Sequence, residues 1–318
     1  MNLQEMYEAQ IIPPSFITPK DLAKKLGIVP TMEFRQSSHG LYDMVPKVTT
    51  QAAGGYRRIN GGLHVLSMNT GDVRIDLFPF GGILEVDSQL VDNWPGGLEA
   101  YIEQNMPQYA KGIAQSYETS LIYGNESAGI AGLREIAKNN NAAVPTNAAG
   151  TGTDYTSIIF VTWDEQQCTG LFNENGFNEG MFVPEIQNDG RAVLVPEFDE
   201  SGNYTGKKKS VYQFKVEFPT GLKVIGGNHV YVISGIKDAD GYRVTESMVR
   251  TALAYVGANP ESTFIYVNGV AKSQLNALKS ASVKTDNTDR NILVSANAID
   301  DCRIVVCELI TNTEAREV

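Results

Sequence analysis

Apolar residues recur at steps of three and four from Leu98 through Ile102, Met106, Tyr109, Ile113 and Tyr117 to Leu121, the strongest periodic signal in the chain. That spacing draws a single stripe along one side of an α-helix. Asp92 or Asn93 offers a cap, Pro95 suits a first turn, and Gly124-Asn125 supplies the stop. The helix predicted over 97–123 is a rod of about 40 Å at ~1.5 Å per residue. Upstream, paired glycines at 54–55, 61–62 and 81–82 frame two alternating stretches, GLHVLSM and DVRIDLF, with Asn69-Thr70-Gly71-Asp72 between them. Alternation around a Gly-containing turn predicts a β-hairpin with Arg74 and Asp76 on a polar face. A hairpin of that kind has no core of its own, so another element or another subunit must cover it.

Residues 1–47 hold no sustained period and read as an arm, with at most a short helix from Pro19 to Leu26 capped by Thr18. After Asn140 the chain turns to strand-like runs: YTSIIFVTW, CTGLF, MFVPEI, RAVLVPEF, VYQFKVEF and NHVYVISGI. These predict an antiparallel β region, with Asp199 to Asn203 at a hairpin tip and Lys207, Lys208 and Lys209 as a solvated edge. From Val244 the pattern alternates: a helix over 245–256, strand TFIYVN, a helix over 270–279, then strands NILVSA and CRIVVCELI. A small α/β unit therefore follows a border near residue 240.

Composition narrows the class. The chain has 318 residues, 42% hydrophobic and 20% charged, with a formal net charge of −11. Its length suits two domains, and so much apolar surface excludes a mainly disordered chain. An acidic surplus without a basic tail argues against binding nucleic acid through phosphate neutralisation. The longest apolar runs, SIIFVTW (157–163) and CRIVVCELI (302–310), fall short of the roughly 18–20 residues of a membrane span. The opening MNLQEMYEAQ lacks the basic start of a secretory signal, so a cytoplasmic protein without membrane contact is expected. Cys168, Cys302 and Cys307 show no CxxC spacing and read as buried free thiols.

Catalytic signals are scarce. His39, His64 and His229 have no metal-ligand partner at i+2 or i+4. No G-x-S-x-G elbow occurs, and Ser157, Asp43 and Asp164 make a triad only if position is ignored. Asp164-Glu165 follow a strand end, where a polar terminus is the simpler account. GGYRRINGG (54–62) and AAGTGTDY (148–155) lack the Gly-Lys-Ser/Thr ending of a phosphate loop. No catalytic residue, cofactor or metal is expected. An extended arm, a hairpin and a long rod that cannot bury themselves within one chain imply an assembly subunit.

The order of elements and the segment SLIYGNESAGIAGL (120–133) resemble the major capsid proteins of tailed bacteriophages, the Hong Kong 97-type shell fold. There a long spine helix ends in a YGN-like sequence followed by a Gly-Leu step, here Gly132-Leu133. A strand with Trp163 (IFVTWDEQQCTGLF), a segment around Gly180 (GFNEGMFVPE), and YQFKVEFPTGLKVIGGNHVYVISGI (212–236) follow in the family's order. The resemblance covers roughly 45–318.

The resemblance implies an α+β fold with an N-terminal arm (1–47), an extended β-hairpin loop (48–90), a peripheral domain (91–238) built on the spine helix, and an axial α/β domain (239–318). With the α/β elements placed after the long strands, the order looks permuted relative to the type member. The implied function is a capsid subunit that joins itself as hexamers and pentamers into an icosahedral head enclosing double-stranded DNA without binding it specifically. A separate scaffold protein, a portal and a decoration protein are the further partners implied, and the virion capsid, assembled in the host cytoplasm, is the implied location. Some members crosslink through a lysine in the extended loop; no Lys lies between Lys47 and Lys111, so that chemistry is not expected. Candidate contacts between subunits are Arg57, Arg58, Arg74 and Asp76 on the hairpin. The alternatives are the shell of a cellular nanocompartment with the same fold, or a β-rich hydrolase using Asp164 or Glu165.

Overall fold

The computed structural model describes residues 26–63, 65–147, 152–173, 185–199, 201–282 and 298–315. The expected Pro19–Leu26 helix, His64, the segment around Gly180 and the strand NILVSA lie outside them, wholly or for the most part.

The apolar stripe forms the helix it predicts, α2 (Gly97–Tyr123). Its buried side carries Tyr101, Met106, Ala114, Tyr117, Leu121 and Ile122, with Asn105 and Glu118 among them. Its start differs from expectation. Asp92 and Asn93 close a separate short helix, α1 (Ser88–Asp92), which Asp87 caps by accepting from Gln89 N at 2.8 Å. Gly96, at φ 92°, then turns the chain into α2, a conformation that favours glycine. At the far end Gly124 and Gly132 bring backbone against backbone. A Cβ on Gly124 would stand 2.4 Å from Ile130 O, and one on Gly132 would stand 2.6 Å from Gly124 N. This close approach is the physical content of the SLIYGNESAGIAGL segment.

α2 lies on a six-stranded sheet. Four strands run in the order β1 (Phe34–Gln36), β7 (Cys168–Phe172), β10 (Tyr204–Val224) and β4 (Phe78–Asp87). β8 (Glu185–Ile186) and β9 (Val193–Phe198) pair with other stretches of the same β10. β10 is 21 residues long and is antiparallel to β4 from Val211 to Thr220. Tyr117 packs edge-on against Phe80 and Phe218, and its hydroxyl shares a 2.7 Å hydrogen bond with Thr220 Oγ1. The opposite face of the sheet is polar. There Lys209 Nζ lies 2.8 Å from Glu85, and this hydrogen bond holds the Glu85 carboxyl below its ordinary value.

A second six-stranded sheet runs β13 (Ala298–Ile299), β14 (Cys302–Val306), β12 (Thr263–Val267), β6 (Thr156–Thr162), β11 (Val230–Ile236) and β5 (Ala143–Pro145). Helices α3 (Leu133–Asn139), α4 (Glu246–Tyr255) and α5 (Gly269–Ser282) bury Leu133, Ala137, Val249, Leu253, Ala271 and Leu275 in the same core. This sheet corrects the expected border at 238/239. It takes β5, β6 and β11 from before that point and β12 to β14 from after it, so the α/β elements flank β10 on both sides in sequence. β11 and β12 are buried throughout and β6 nearly so, and a continuous apolar run does not tell which sheet it joins.

The hairpin also differs from expectation. β2 (Tyr42–Thr50) begins inside the segment read as an arm and pairs antiparallel with β3 (Asn69–Asp76). Asn69 to Asp72, read as the turn, lie within β3 opposite Thr50 to Pro46, and the true connection is the long loop 51–68.

Candidate functional site

Beyond its root on β10, the β2–β3 hairpin is almost all surface. Apart from Asp43, every residue of β2 is exposed or half-buried. The loop beyond it exposes Tyr56, Ile59, Leu63, Val65, Leu66 and Met68, of which Tyr56, Ile59 and Val65 are 104, 94 and 96% exposed. Single exposed apolar residues are ordinary, but six within 13 residues leave an unusual amount of apolar surface in water.

The expected contact residues sort into two places. Arg57 and Arg58 lie in the loop, where Arg57 Nη1 donates to Gly61 O at 3.1 Å and the Arg58 carbonyl accepts from Gly61 N at 2.9 Å. Both arginines are exposed. Arg74 and Asp76 share one face of β3 and pair with each other, Nε to Oδ1 at 2.7 Å. The Arg74 guanidinium also lies over the Tyr42 ring at 4.5 Å, and Tyr42 stacks on His39 at 4.9 Å. This half of the expected set is thus an internally matched stack rather than a pair of free charges.

Elsewhere an apolar groove of about 440 Å³ opens between α2 and the first sheet. Ile83 and Leu84 of β4, Tyr109 and Ile113 of α2, and Phe214 and Val216 of β10 line it. Gly82 and Gly112 open its rim, since a Cβ on either would touch nothing within 4 Å. The Ile83 side chain, opposite Lys215 in the register, turns to the other face of the sheet, so only its backbone borders the groove. Sequence reasoning misplaced the loop's apolar residues and missed the groove. GLHVLSM alternates and reads as a strand of the hairpin, whereas its described residues belong to the connection; Gly112 offers no signal.

The residues weighed for chemistry have structural work. Asp164 Oδ1 accepts from Gln166 N and Gln167 N at 2.9 and 2.7 Å, capping the turn between β6 and β7. His229 Nε2 bonds Gln167 Oε1 at 2.9 Å. Cys168, Cys302 and Cys307 are free and buried, and burial pushes each thiol above its ordinary value. Among the described residues no cluster of His, Cys, Asp or Glu has the makings of a metal site, and no helix is long and apolar enough to cross a membrane.

A family model described as major capsid protein GP7 matches residues 22–318. A search of curated proteins returns no match. Among solved structures the chain is similar to one from bacteriophage Epsilon15, with a TM-score of 0.63 and 20% identity over 99% of this chain and 96% of that one. A chain of the bacteriophage JBD30 capsid matches at TM-score 0.48 and 11% identity, covering 95% of this chain and 98% of that one. An SrpI encapsulin chain from Synechococcus elongatus matches at TM-score 0.40 and 11% identity, covering 73% and 95%. The Epsilon15 likeness, running through almost the whole of both chains, establishes the Hong Kong 97-like α+β fold. The family model spans nearly the whole sequence as well, and the chain belongs to the major capsid protein GP7 family: it is a structural subunit of a phage capsid shell, not an enzyme.

Proposed function

We propose that copies of this chain join as hexamers and pentamers into an icosahedral head enclosing double-stranded DNA, each β2–β3 hairpin lying across the α2 groove of the next copy. The carrying observation is an uncovered apolar loop together with an open, apolar-lined groove on one chain. A contact between two different patches is head-to-tail, and such contacts close into rings when the rotation allows. Burying six apolar side chains gains on the order of 10 kcal/mol at ~1.5–3 kcal/mol each. Association costs about as much, so one contact binds weakly. Ring closure, with every copy giving and receiving a hairpin, makes the contacts cooperative.

Arg57 and Arg58 flank the apolar tip and set orientation against an acidic neighbour, while Arg74 and Asp76 stiffen the arm. A net charge of −11 per copy keeps the inner wall from gripping packaged DNA. Assembly in the host cytoplasm, with a separate scaffold protein, a portal and a decoration protein, completes the proposal.

Two variants test it: Arg57→Glu with Arg58→Glu, and Ile59→Asp with Val65→Asp. All four side chains are exposed. Both variants are expected to melt like the parent yet form no shells in negative-stain images. Parent-like shells from both would overturn the role given to the hairpin.

A further inference from the structure

Asp43 is the one buried residue of β2, and it faces Lys223 of β10 across 3.6 Å, Nζ to Oδ2, with both side chains almost wholly buried. Asp43 Oδ1 accepts from Ser38 N at 3.0 Å, while Oδ2 has no hydrogen bond. Arg35 of β1 and Asp164 of the β6–β7 turn also act on the pair.

The chain enters the hairpin through a bend at Gly40, φ 65°, where His39 N donates to Tyr42 O, and leaves it at Leu77, whose N–H donates to Leu41 O at 2.8 Å. Beyond that root no residue of β2 is buried. The nine residues of β2 make a lever of about 30 Å at ~3.3 Å per residue. A tilt of about 10° at its root therefore carries its far end about 5 Å, on the scale of one strand spacing.

A buried ion pair is a poor choice for stability alone, because an apolar pair of similar volume does as well or better. What two fixed charges supply is direction. We infer that the buried Asp43–Lys223 pair is an orientation latch, holding the hairpin at one angle to the body of the subunit. The pair pins β2 to β10 at the root of the hairpin, where Leu77 at the exit of β3 is buried as well. Resting as it does on the hairpin being the arm that meets the next copy, the latch makes that arm's direction, and so the curvature of the ring, depend on one internal contact.

The test uses the full, unassembled chain with spin labels at Gln51→Cys beyond β2 and Gln104→Cys on α2, both exposed, while the three native thiols are buried. Pulsed dipolar spectroscopy then reads the distance distribution from hairpin to spine helix. The double variant Asp43→Asn with Lys223→Met removes both charges. It is expected to melt close to the parent and yet to show a distribution about twofold broader, as a population spread over several angles requires. Lys223→Arg, which keeps the charge, is expected to keep the parent's width. A double variant as narrow as the parent would overturn the latch. So would one that melts far lower, which would make the pair a stability element, or a Lys223→Arg variant as broad as the neutral pair. A parent protein that never forms shells would sink the assembly proposal and leave these distances standing.

Discussion

Glu118 lies on the buried side of α2 and is wholly out of water. Its Oε1 accepts from Gly27 N at 2.7 Å and from Cys307 Sγ at 3.0 Å, and its Oε2 accepts from Ile28 N and Val29 N at 3.1 and 3.0 Å. One carboxylate thus ties the start of the described chain, the spine helix and the C-terminal region together. Close by, Thr31 Oγ1 and Trp163 Nε1 both bond Tyr266 OH at 2.7 Å, fastening the same turn to the second sheet. Truncating Glu118 strands two buried N–H groups, of Gly27 and Ile28, and the half-buried one of Val29, each costly to leave unmade. Glu118→Ala is expected to destabilise the subunit by about 3 kcal/mol or more in urea unfolding, and Glu118→Gln by less because it retains an acceptor. A change under about 1 kcal/mol for the alanine variant would show that water or a shifted backbone replaces the carboxylate. Nothing in the sequence marks this residue. In a helix pattern a glutamate beside Tyr117 reads as the polar flank, and its partners lie about 90 and 189 residues away.

Among the elements, the hairpin root has a pH dependence with a definite sign. Burial alone would raise the Asp43 carboxyl, but the Ser38 hydrogen bonds and the charges of Lys223 and Arg35 outweigh it and hold it below the ordinary 3.8. A carboxyl lowered in the folded state stabilises fully above its unfolded value, and that contribution fades as pH falls through the lower folded value. The stability gap between the parent and Asp43→Asn is therefore expected to be full at about pH 5 and to shrink at about pH 3. Melting curves of both proteins at the two values check this, and a gap that is equal at both contradicts it. Legibility was uneven at this scale. The helix α2 and strands β6, β7, β11, β12 and β14 were readable because each declares itself by period or by an unbroken apolar run. The hairpin was half-readable: the alternation of DVRIDLF marked β3, but GLHVLSM, read as its partner strand, lies in the loop, and Asn69 to Asp72 looked like a turn because turn chemistry is local, whereas the real partner of β3 lies across 18 loop residues. Sheet membership was not readable at all, and the border near 240 failed for that reason. Arg57, Arg58, Arg74 and Asp76 could be placed on the arm, but not the mutual pairing of the last two.

As a whole molecule the subunit combines a well-buried body with an arm that is almost all surface. Among the described residues, 39 buried hydrophobic ones form one contiguous core that joins the end of α2, the second sheet and helices α3 to α5. A smaller cluster around Val91, Trp94, Tyr101 and Phe214 fixes the start of α2 on β4 and β10. No comparable packing holds the loop 51–68, so its apolar residues are satisfied only when another molecule covers them. The most direct test is light scattering with negative-stain microscopy on the purified chain, alone and then with a candidate scaffold protein. Closed shells, or rings of five and six copies, are the predicted result. A chain that stays a monomer or dimer under both conditions, with its loop still bare, would contradict the account.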